Sequence, residues 1–434
     1  MKKILAFLLM AMMLFSTCAF AEGQDTFNSV DKDISGELTL YLYYADSAIA
    51  TIDETVRRMN EKYPNLKFNI EHRADSDGTA LKTWAAVGEL PDIFEIPSMD
   101  TYNTLRKNGD LYALDDAVKA TKYYDLYING HELYEVAHTD PDDGKQYTYG
   151  NDPTQVLTVF YNVSVLKELG LSEPKNYEDF KHCITVLKDA GKIPVALFGA
   201  EQWPAMAMYD LACVAEGAYE ASNAVNDGKV KYGDDEAYFK AAKKLAELVK
   251  MGAFGTGALS TNASQAFELL TSGQAGFLVN GSWHWGTVEE EGNGDKVGWC
   301  HYNVFADADK AEETKTHCVG GTIKLNNLSV SSHPASGLDP ETVARLGMEF
   351  SYIGACVGGE KGYRTMAIGD YHLKGSAGYI DFDKTYATFT TFTTLPQDMS
   401  DGQLVAALGN AIEMIISGNS TAEDFMAEMA DSGY

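Results

Sequence analysis

Basic residues are scarce in this sequence, which has 34 lysines and arginines against 63 aspartates and glutamates. The formal net charge is −29 at neutral pH. Such a surface repels nucleic acid and anionic lipid and favours solubility, although it says little about the fold. We therefore expect no nucleic-acid partner, and a large or highly anionic ligand is disfavoured.

Long apolar runs are absent after the first residues, and no later run approaches the roughly 18 residues that a membrane-spanning helix needs. Residues 1–21 have two lysines, an apolar run and small residues up to Ala21, which are the three parts of a secretory signal peptide. We predict cleavage before Glu22, followed by a polar leader over 22–35. Cys18 leaves open a second form of export, in which the N-terminus is lipid-anchored. The expected location is periplasmic or at the cell surface.

Cysteine is rare, and Cys300 and Cys318 each adjoin a histidine, His301 and His317, in a predicted hairpin. These four residues leave three states open. A disulfide would close a short loop and add about 3 kcal/mol of stability, whereas two free thiols need no pairing at all. A zinc site lacks the usual spacer of about two to four residues between ligands, and we expect no metal.

The short motifs of familiar enzyme classes are missing. The sequence has no nucleophile elbow, zinc-protease motif, Walker loop or dinucleotide fingerprint. A carboxylate pair for glycoside cleavage stays open, because its signature is a distance in space that a sequence does not show. Most acidic residues fall on helix faces and in loops, where a solvated role is expected. We predict no enzymatic activity and no cofactor.

Strands are predicted over 38–42, 66–70 and 91–96, with segments of helical periodicity between them. This order predicts parallel pairing with right-handed crossovers, in which ligands gather at the carboxyl ends of the strands. A chain of 434 residues exceeds what one hydrophobic core usually supports, so we expect two lobes. The apolar run Val156–Tyr161 is predicted to be a buried strand that opens the second lobe.

Two of the five tryptophans, Trp283 and Trp285, follow the apolar run Ala275–Val279 and a Gly-Ser turn. If this segment is extended, rings at positions i and i+2 point to opposite faces, so at least one lies outside the main core. The alternative is that both rings are core. We predict a stacking surface at this corner, of the kind that grips sugar rings.

Polar and aromatic residues recur just after the predicted strands. Carboxylates and amides form paired hydrogen bonds with vicinal hydroxyls, and aromatic rings stack on the apolar face of a pyranose. Each acidic residue has a capping or turn role as its alternative. The candidate ligand-binding residues are Tyr44, Asp46, Ser47, Ser98, Asp100, Asn151, Asp152, Trp203, Trp283 and His284.

An ordered set of motifs extends over nearly the whole chain after the predicted signal peptide and is more specific than any one of its parts. The motifs are Leu90-Pro91-Asp92-Ile93, Gln155–Asn162 followed by Leu166–Gly170, Ser272–Gly276 with Asn280-Gly281-Ser282-Trp283, and Ile415–Gly418 with Thr421-Ala422-Glu423. In this order they resemble the extracellular sugar-binding proteins of ABC importers, of which the maltodextrin-binding type is the best known.

The resemblance implies an α/β protein with the two-lobed type II periplasmic-binding fold, each lobe a mostly parallel sheet flanked by helices. The chain would cross between the lobes three times, near 152–156, 298–305 and 329–334. The first lobe would then be formed by 36–152 and 303–332, and the second by 153–302 and 333–434.

The same resemblance implies a monomer that binds a carbohydrate, an oligosaccharide, between its lobes and delivers it to the membrane permease of an ABC transporter. Trp283 matches the family's stacking position, and its polar strand-end positions carry over onto Asp46, onto Ser98 or Asp100, and onto Asp152. Tyr43 and Tyr44 depart from the maltodextrin type, so the particular sugar is left open. The alternatives are a secreted carbohydrate-active enzyme and a binder of peptides, polyamines or a metal chelate on the same scaffold.

Overall fold

The structure is a computed structural model that describes residues 27, 30–44, 48–73, 78–131, 135, 138–140, 142–150, 154–322, 327–386, 388–389 and 395–434. The predicted signal peptide with Cys18 lies outside the described residues, as do the candidates Asp46, Ser47, Asn151 and Asp152. Across the described ranges, no helix has both the length and the apolarity that a bilayer crossing requires.

The strands and helices follow one another in α/β order. The strands are β1 (Gly36–Leu42), β2 (Leu66–His72), β3 (Ile93–Glu95), β4 (Thr154–Asn162), β5 (Ile193–Ala196), β6 (Ala275–Gly281), β7 (Val297–Trp299), β8 (Gly320–Thr322) and β9 (Leu328–Val330). The α-helices are Ile49–Lys62, Thr79–Val87, Met99–Asn108, Asp115–Thr121, Val163–Glu168, Tyr177–Asp189, Trp203–Glu216, Ser222–Asn226, Glu236–Met251, Ala263–Thr271, His284–Glu290, Ala311–Thr314, Pro340–Lys361, Ala377–Tyr386, Gly402–Ile416 and Ala422–Asp431. Short 3₁₀ helices lie at Tyr123–Leu126, Gly199–Glu201, Ala258–Ser260 and Pro396–Asp398.

The first sheet has the strand order β2-β1-β3-β9. β1 pairs in parallel with both β2 and β3, which confirms the pairing predicted from the sequence, and β9 closes the sheet antiparallel to β3. Successive β1 residues belong to different core clusters, with Leu40 on one face and Tyr41 on the other. The sheet is therefore covered on both faces, as a sheet with parallel crossovers requires.

The second sheet has the order β5-β6-β4-β7, and β8 also pairs with β4. Only β5 and β6 are parallel among the described pairs, because β4 runs antiparallel to β6, β7 and β8. The sheet is thus mixed rather than mostly parallel. The predicted hairpin between β7 and β8 does not form either, since each strand pairs with a different half of β4.

Cys300 and Cys318 are free thiols, both buried. The backbone N–H of Cys300 donates to the carbonyl of Val159, and Cys300 packs in the cluster that holds Val159. Cys318 packs in the cluster on the opposite face of β4, with Val156 and Phe160. Because neighbouring strand residues alternate between faces, the sheet separates the two thiols.

The long helix Pro340–Lys361 packs on the first sheet, where its apolar residues join the cluster of Leu38 and Leu40. Two polar contacts fix it to the neighbouring helix: Tyr63 donates to the buried carboxylate of Glu349 at 2.7 Å, and Lys62 lies 2.5 Å from the same side chain. The sequence-based boundaries assigned this helix to the second lobe. An apolar stripe shows that a helix has a buried face, but not which sheet covers it.

Residues 304–319 pack with the second sheet, although the sequence-based boundaries placed them in the first lobe. Val304, Phe305 and Val319 belong to the core cluster that contains Phe277 of β6, so they lie with the second sheet. The return of the chain to the second sheet then falls between Ala367, in the first cluster, and the helix Ala377–Tyr386.

His301 joins three segments of the second lobe. Its Nδ1 lies 3.1 Å from both carboxylate oxygens of Glu173, and its Nε2 lies 2.7 Å from Oδ2 of Asp381 in the helix Ala377–Tyr386. Trp299 donates to the same Asp381 oxygen at 3.1 Å. The hydrogen bonds to Glu173 and Asp381 raise the pKa of His301, because only the protonated ring donates from both nitrogens.

We predict that His301→Asn destabilises the protein more at about pH 5.5 than at about pH 8, by roughly 0.5–1 kcal/mol for these half-exposed pairs. A raised histidine pKa stabilises the fold fully below the unfolded-state pKa of about 6.5, and this stabilisation is lost as the pH rises through the folded-state pKa. Urea unfolding at the two pH values measures the difference. The control is His182→Asn on the exposed side of Tyr177–Asp189, and an equal loss of stability at both pH values in His301→Asn would contradict the prediction.

Candidate functional site

Two backbone pairings mark the positions where the chain leaves one sheet and enters the other. At the first sheet, Tyr149 and Leu328 exchange backbone hydrogen bonds of 2.8 Å, and at the second sheet Thr154 of β4 pairs with Thr322 of β8. We call these two pairings together the junction. A site between the lobes would be formed by the strand ends that lie beside the junction.

On the first lobe, the carboxyl end of β3 borders the junction. The backbone N–H of Ile96 donates to the carbonyl of Asn327 at 3.3 Å, directly before β9. β1 lies parallel and next to β3, so its carboxyl end reaches the same edge of the sheet. Tyr43 and Tyr44 follow β1 at this edge.

On the second lobe, Ser282 fixes the Gly281-Ser282-Trp283 corner beside the start of β4. Its N–H donates to the carbonyl of Val156 at 2.8 Å, and its Oγ accepts from the N–H of Val156 at 3.2 Å. Val156 is two residues from the first residue of β4. The corner therefore borders the junction from the second lobe.

Trp283 and Trp203 form one bent aromatic surface at this corner. Their ring centroids are 5.7 Å apart and their planes are inclined by 58°. Trp283 is 36% exposed, and Trp203 is half-buried with its Nε1 donating to Glu201 at 3.1 Å. The structure thus brings together two candidates that lie 80 positions apart in the sequence.

Gly281 makes room for the Trp283 ring. A Cβ atom on this glycine would lie 2.0 Å from Cζ3 of the indole, far inside van der Waals contact. Trp285 has a different place, because the chain turns into the helix His284–Glu290 after Trp283 instead of staying extended. Trp285 is fully buried and stacks on Tyr379 at 5.4 Å.

His284 packs inside the second lobe, edge-on to Phe267 at 4.3 Å and to Phe160 at 5.9 Å between ring centroids. Burial lowers its pKa to about 4, so the ring is neutral at physiological pH. Its Nε2 has no hydrogen-bond partner among the described residues. The structure therefore separates His284 from the Trp203–Trp283 surface.

The described candidates of the first lobe have local partners. Tyr44 stands edge-on to His72 at 4.9 Å, and Nε2 of His72 lies 3.1 Å from the Tyr44 carbonyl. Ser98 caps the helix Met99–Asn108 by accepting from the N–H of Thr101. Asp100, with a carboxylate 72% exposed, pairs with Lys82 at 3.0 Å. For the acidic candidates, the alternative to ligand contact is a capping or turn role.

Three residues at the first-lobe edge were not among the candidates: Tyr43, Arg73 and Glu95. Tyr43 is 62% exposed, whereas Arg73 is 4% and the Glu95 side chain 15% exposed. A sequence signal for Glu95 exists, because this carboxylate interrupts the apolar run Ile93–Ile96 of a buried strand. Burial raises the pKa of Glu95 to about 7.

Two further features bear on alternative sites. Within the described ranges, no group of three or more histidine, cysteine or acidic side chains is arranged to hold a metal ion. A cavity of about 390 Å³ between Phe254, Leu259 and Ile416 has no charged side chain in its lining and includes neither Trp203 nor Trp283. The aromatic surface beside the junction combines stacking rings with nearby polar groups, so it is the better candidate.

A sequence profile of a family described as bacterial extracellular solute-binding protein matches residues 44–312. Among curated proteins, the chain is 23% identical over 176 residues to the multiple sugar-binding protein of Streptococcus mutans, covering 40% of this chain and 39% of that protein. It is 26% identical over 215 residues to a probable sugar-binding periplasmic protein of Mesorhizobium japonicum, covering 48% of each. The chain thus spans about half the length or less of these two relatives.

Solved structures are similar over almost the full chain. A chitin oligosaccharide binding protein superposes with a TM-score of 0.74 at 21% identity, covering 92% of this chain and 98% of that one. The solute-binding protein RafE in complex with raffinose gives a TM-score of 0.67 at 16% identity, covering 92% and 100%. These likenesses show that the two-lobed periplasmic-binding fold is shared.

We predict that Gly281→Ala displaces the Trp283 ring, because the added methyl group occupies the position of the indole edge. The backbone of Gly281 does not adopt positive φ, so the change acts through the ring. Near-ultraviolet circular dichroism and tryptophan emission should both change as the Trp203–Trp283 pair separates.

The matched control is Gly286→Ala in the helix His284–Glu290, where an added Cβ meets no atom within 4 Å. It should leave both spectra unchanged and stabilise the protein by up to about 1 kcal/mol, since alanine favours the helix. Identical spectra for wild type and Gly281→Ala would show that the glycine is not required for the ring position.

Proposed function

The chain belongs to the bacterial extracellular solute-binding proteins, and we propose that it captures an oligosaccharide between its lobes and delivers it to the permease of an ABC transporter. The observation that carries the proposal is the Trp203–Trp283 surface beside the junction. Aromatic rings stack on the apolar faces of sugars and leave the hydroxyls free for hydrogen bonds. The sugar-binding names of the relatives support the same ligand class.

Capture between lobes requires contacts from both sides. A ligand shifts an open–closed equilibrium only by its difference in affinity for the two states, so it has to touch both lobes in the closed state. Strand ends of both sheets border the junction, so a ligand bound there would contact both lobes. The closed form would then be what the permease recognises.

The remaining features of the proposal follow from the packing and the sequence. The first lobe comprises 36–149 with 327–367, and the second comprises 154–322 with 377–434. Residues 1–21 are a signal peptide, and the exported protein is a monomer at the cell surface or in the periplasm, either free or tethered through Cys18. Mass spectrometry of the exported protein distinguishes cleavage before Glu22 from a lipid-modified Cys18.

We predict that Trp283→Ala weakens sugar binding at least tenfold, about 1.4 kcal/mol, and that Trp203→Ala has a similar but smaller effect because its ring is less exposed. The ligand is first identified by a thermal-shift screen of mono- and oligosaccharides, since a bound ligand stabilises the folded state. Isothermal titration calorimetry then measures each variant.

Phe239→Ala is the matched control, because it removes an aromatic ring from the helix Glu236–Met251, away from the corner. Its affinity should equal that of the wild type. Unchanged affinity in both tryptophan variants would refute the proposed surface. Chromatography of the incubated sugars provides a second test, since the appearance of cleavage products would favour an enzyme over a binding protein.

A further inference from the structure

We infer that Tyr43 is a third stacking ring, contributed by the first lobe and held in place by Arg73 and Glu95, and that the ligand is a neutral oligosaccharide of at least two sugar units. This inference rests on the proposed function and specifies its site and ligand class. Tyr43 follows β1 at the edge of the first sheet that borders the junction, whereas the Trp203–Trp283 surface borders it from the second lobe.

Tyr43 is exposed yet held at three points. Its backbone N–H donates to Oε2 of Glu95 at 2.5 Å, the guanidinium of Arg73 lies 5.4 Å from its ring centroid, and the ring of His72 lies 5.9 Å away. A single exposed aromatic residue is ordinary on a protein surface, but one fixed by buried charges is preorganised. Preorganisation lowers the entropic cost of stacking on a ligand.

Arg73 and Glu95 act through Tyr43 and are positioning residues. The backbone N–H of Arg73 donates to the carbonyl of Leu42 at 2.7 Å, and its Nε lies 3.7 Å from Oε2 of Glu95. Both side chains are largely buried, and together they place one positive and one negative charge behind the ring. The residue paired with Glu95 on the neighbouring strand β9 is Leu328, which has no charge.

This arrangement favours a ligand without net charge. The Arg73 charge is already compensated by Glu95, so no unpaired cation faces the junction from this pair. The strongly acidic chain adds a field that repels anions. A uronic acid would therefore bind less well than the neutral sugar of the same shape.

The number of rings sets the minimum size of the ligand. Trp203 and Trp283 are inclined by 58° and present two differently oriented faces, and Tyr43 adds a third from the other lobe. A single pyranose has two faces and cannot stack on three rings at once. Two or more linked units can do so, and they would also bridge the lobes.

The ionisation of Glu95 allows an experiment to distinguish a residue that positions Tyr43 from one that only stabilises the fold. Burial raises its pKa to about 7, against the opposing effects of the Tyr43 N–H and of Arg73. A carboxyl group whose folded-state pKa is raised destabilises the fold increasingly as the pH rises from its unfolded-state pKa to its folded-state pKa. Its ionised form nevertheless holds Tyr43. Stability and ligand affinity should therefore change in opposite directions when the charge is removed.

The experiment compares the wild type with Tyr43→Ala, Tyr43→Phe and Glu95→Gln. The probes are neutral glucose, xylose, galactose and N-acetylglucosamine oligosaccharides, their monosaccharides and the corresponding uronic acids. We expect Tyr43→Ala to lose about tenfold in affinity for the neutral oligosaccharide that binds the wild type, and Tyr43→Phe to keep it, because the ring remains.

Wild-type affinity should fall as the pH drops below about 7, when Glu95 is protonated and Arg73 loses its counter-charge. Glu95→Gln should bind several-fold more weakly at about pH 8, lose this pH dependence and be at least as stable as the wild type there. Glu71→Gln, an exposed carboxylate on β2, is the charge-matched control and should match the wild type in both measurements.

The outcomes are distinguishable. If no sugar binds the wild type, the proposed function is wrong and this inference falls with it. If an oligosaccharide binds and Trp283→Ala weakens it while Tyr43→Ala does not, the proposed function stands and the role of Tyr43 is refuted. Tighter binding of a monosaccharide or a uronic acid than of every neutral oligosaccharide refutes the ligand class.

Discussion

The junction, formed by one backbone pairing at each sheet, is the constraint on which the rest of this structure depends. Tyr149 pairs with Leu328 at the first sheet, and β4 pairs with β8 at the second, so the chain leaves each of these sheets beside the position where it enters. This arrangement decides which strand ends border the junction. Without it, the carboxyl ends of β1 and β3 and the corner after β6 would have no relation to one another, and two separate surfaces would not form one site.

The two walls are built by different physical means. On the second lobe, a glycine without a side chain lets the Trp283 indole lie on the backbone, and Ser282 fixes the turn through hydrogen bonds with Val156. On the first lobe, buried opposite charges hold Tyr43 at the surface. The surface on the second lobe depends on shape and tolerates changes of pH. The surface on the first lobe depends on the ionisation of Glu95 and responds to pH near neutrality.

Buried charges have two roles in this molecule. Glu349 fastens a long helix to its neighbour through Tyr63 and Lys62, which is a structural contact. Among the residues that the structure describes, Glu95 is paired with Arg73 at 3.7 Å and with one backbone N–H, and burial dominates its pKa. A carboxylate that is expensive to ionise and yet lies behind an exposed ring is typical of functional sites, where stability is exchanged for preorganisation.

The sequence alone determined the local elements: the parallel strands of the first lobe, the apolar run of β6 and the tryptophan corner that follows it. Alternation and helical periodicity are local properties, so they can be read from neighbouring residues. Only the tertiary structure decided which sheet buries Pro340–Lys361, on which faces of β4 Cys300 and Cys318 lie, and that Tyr43, Arg73 and Glu95 meet. These outcomes depend on contacts between residues far apart in the chain, and a periodic pattern shows that a face is buried without showing what buries it.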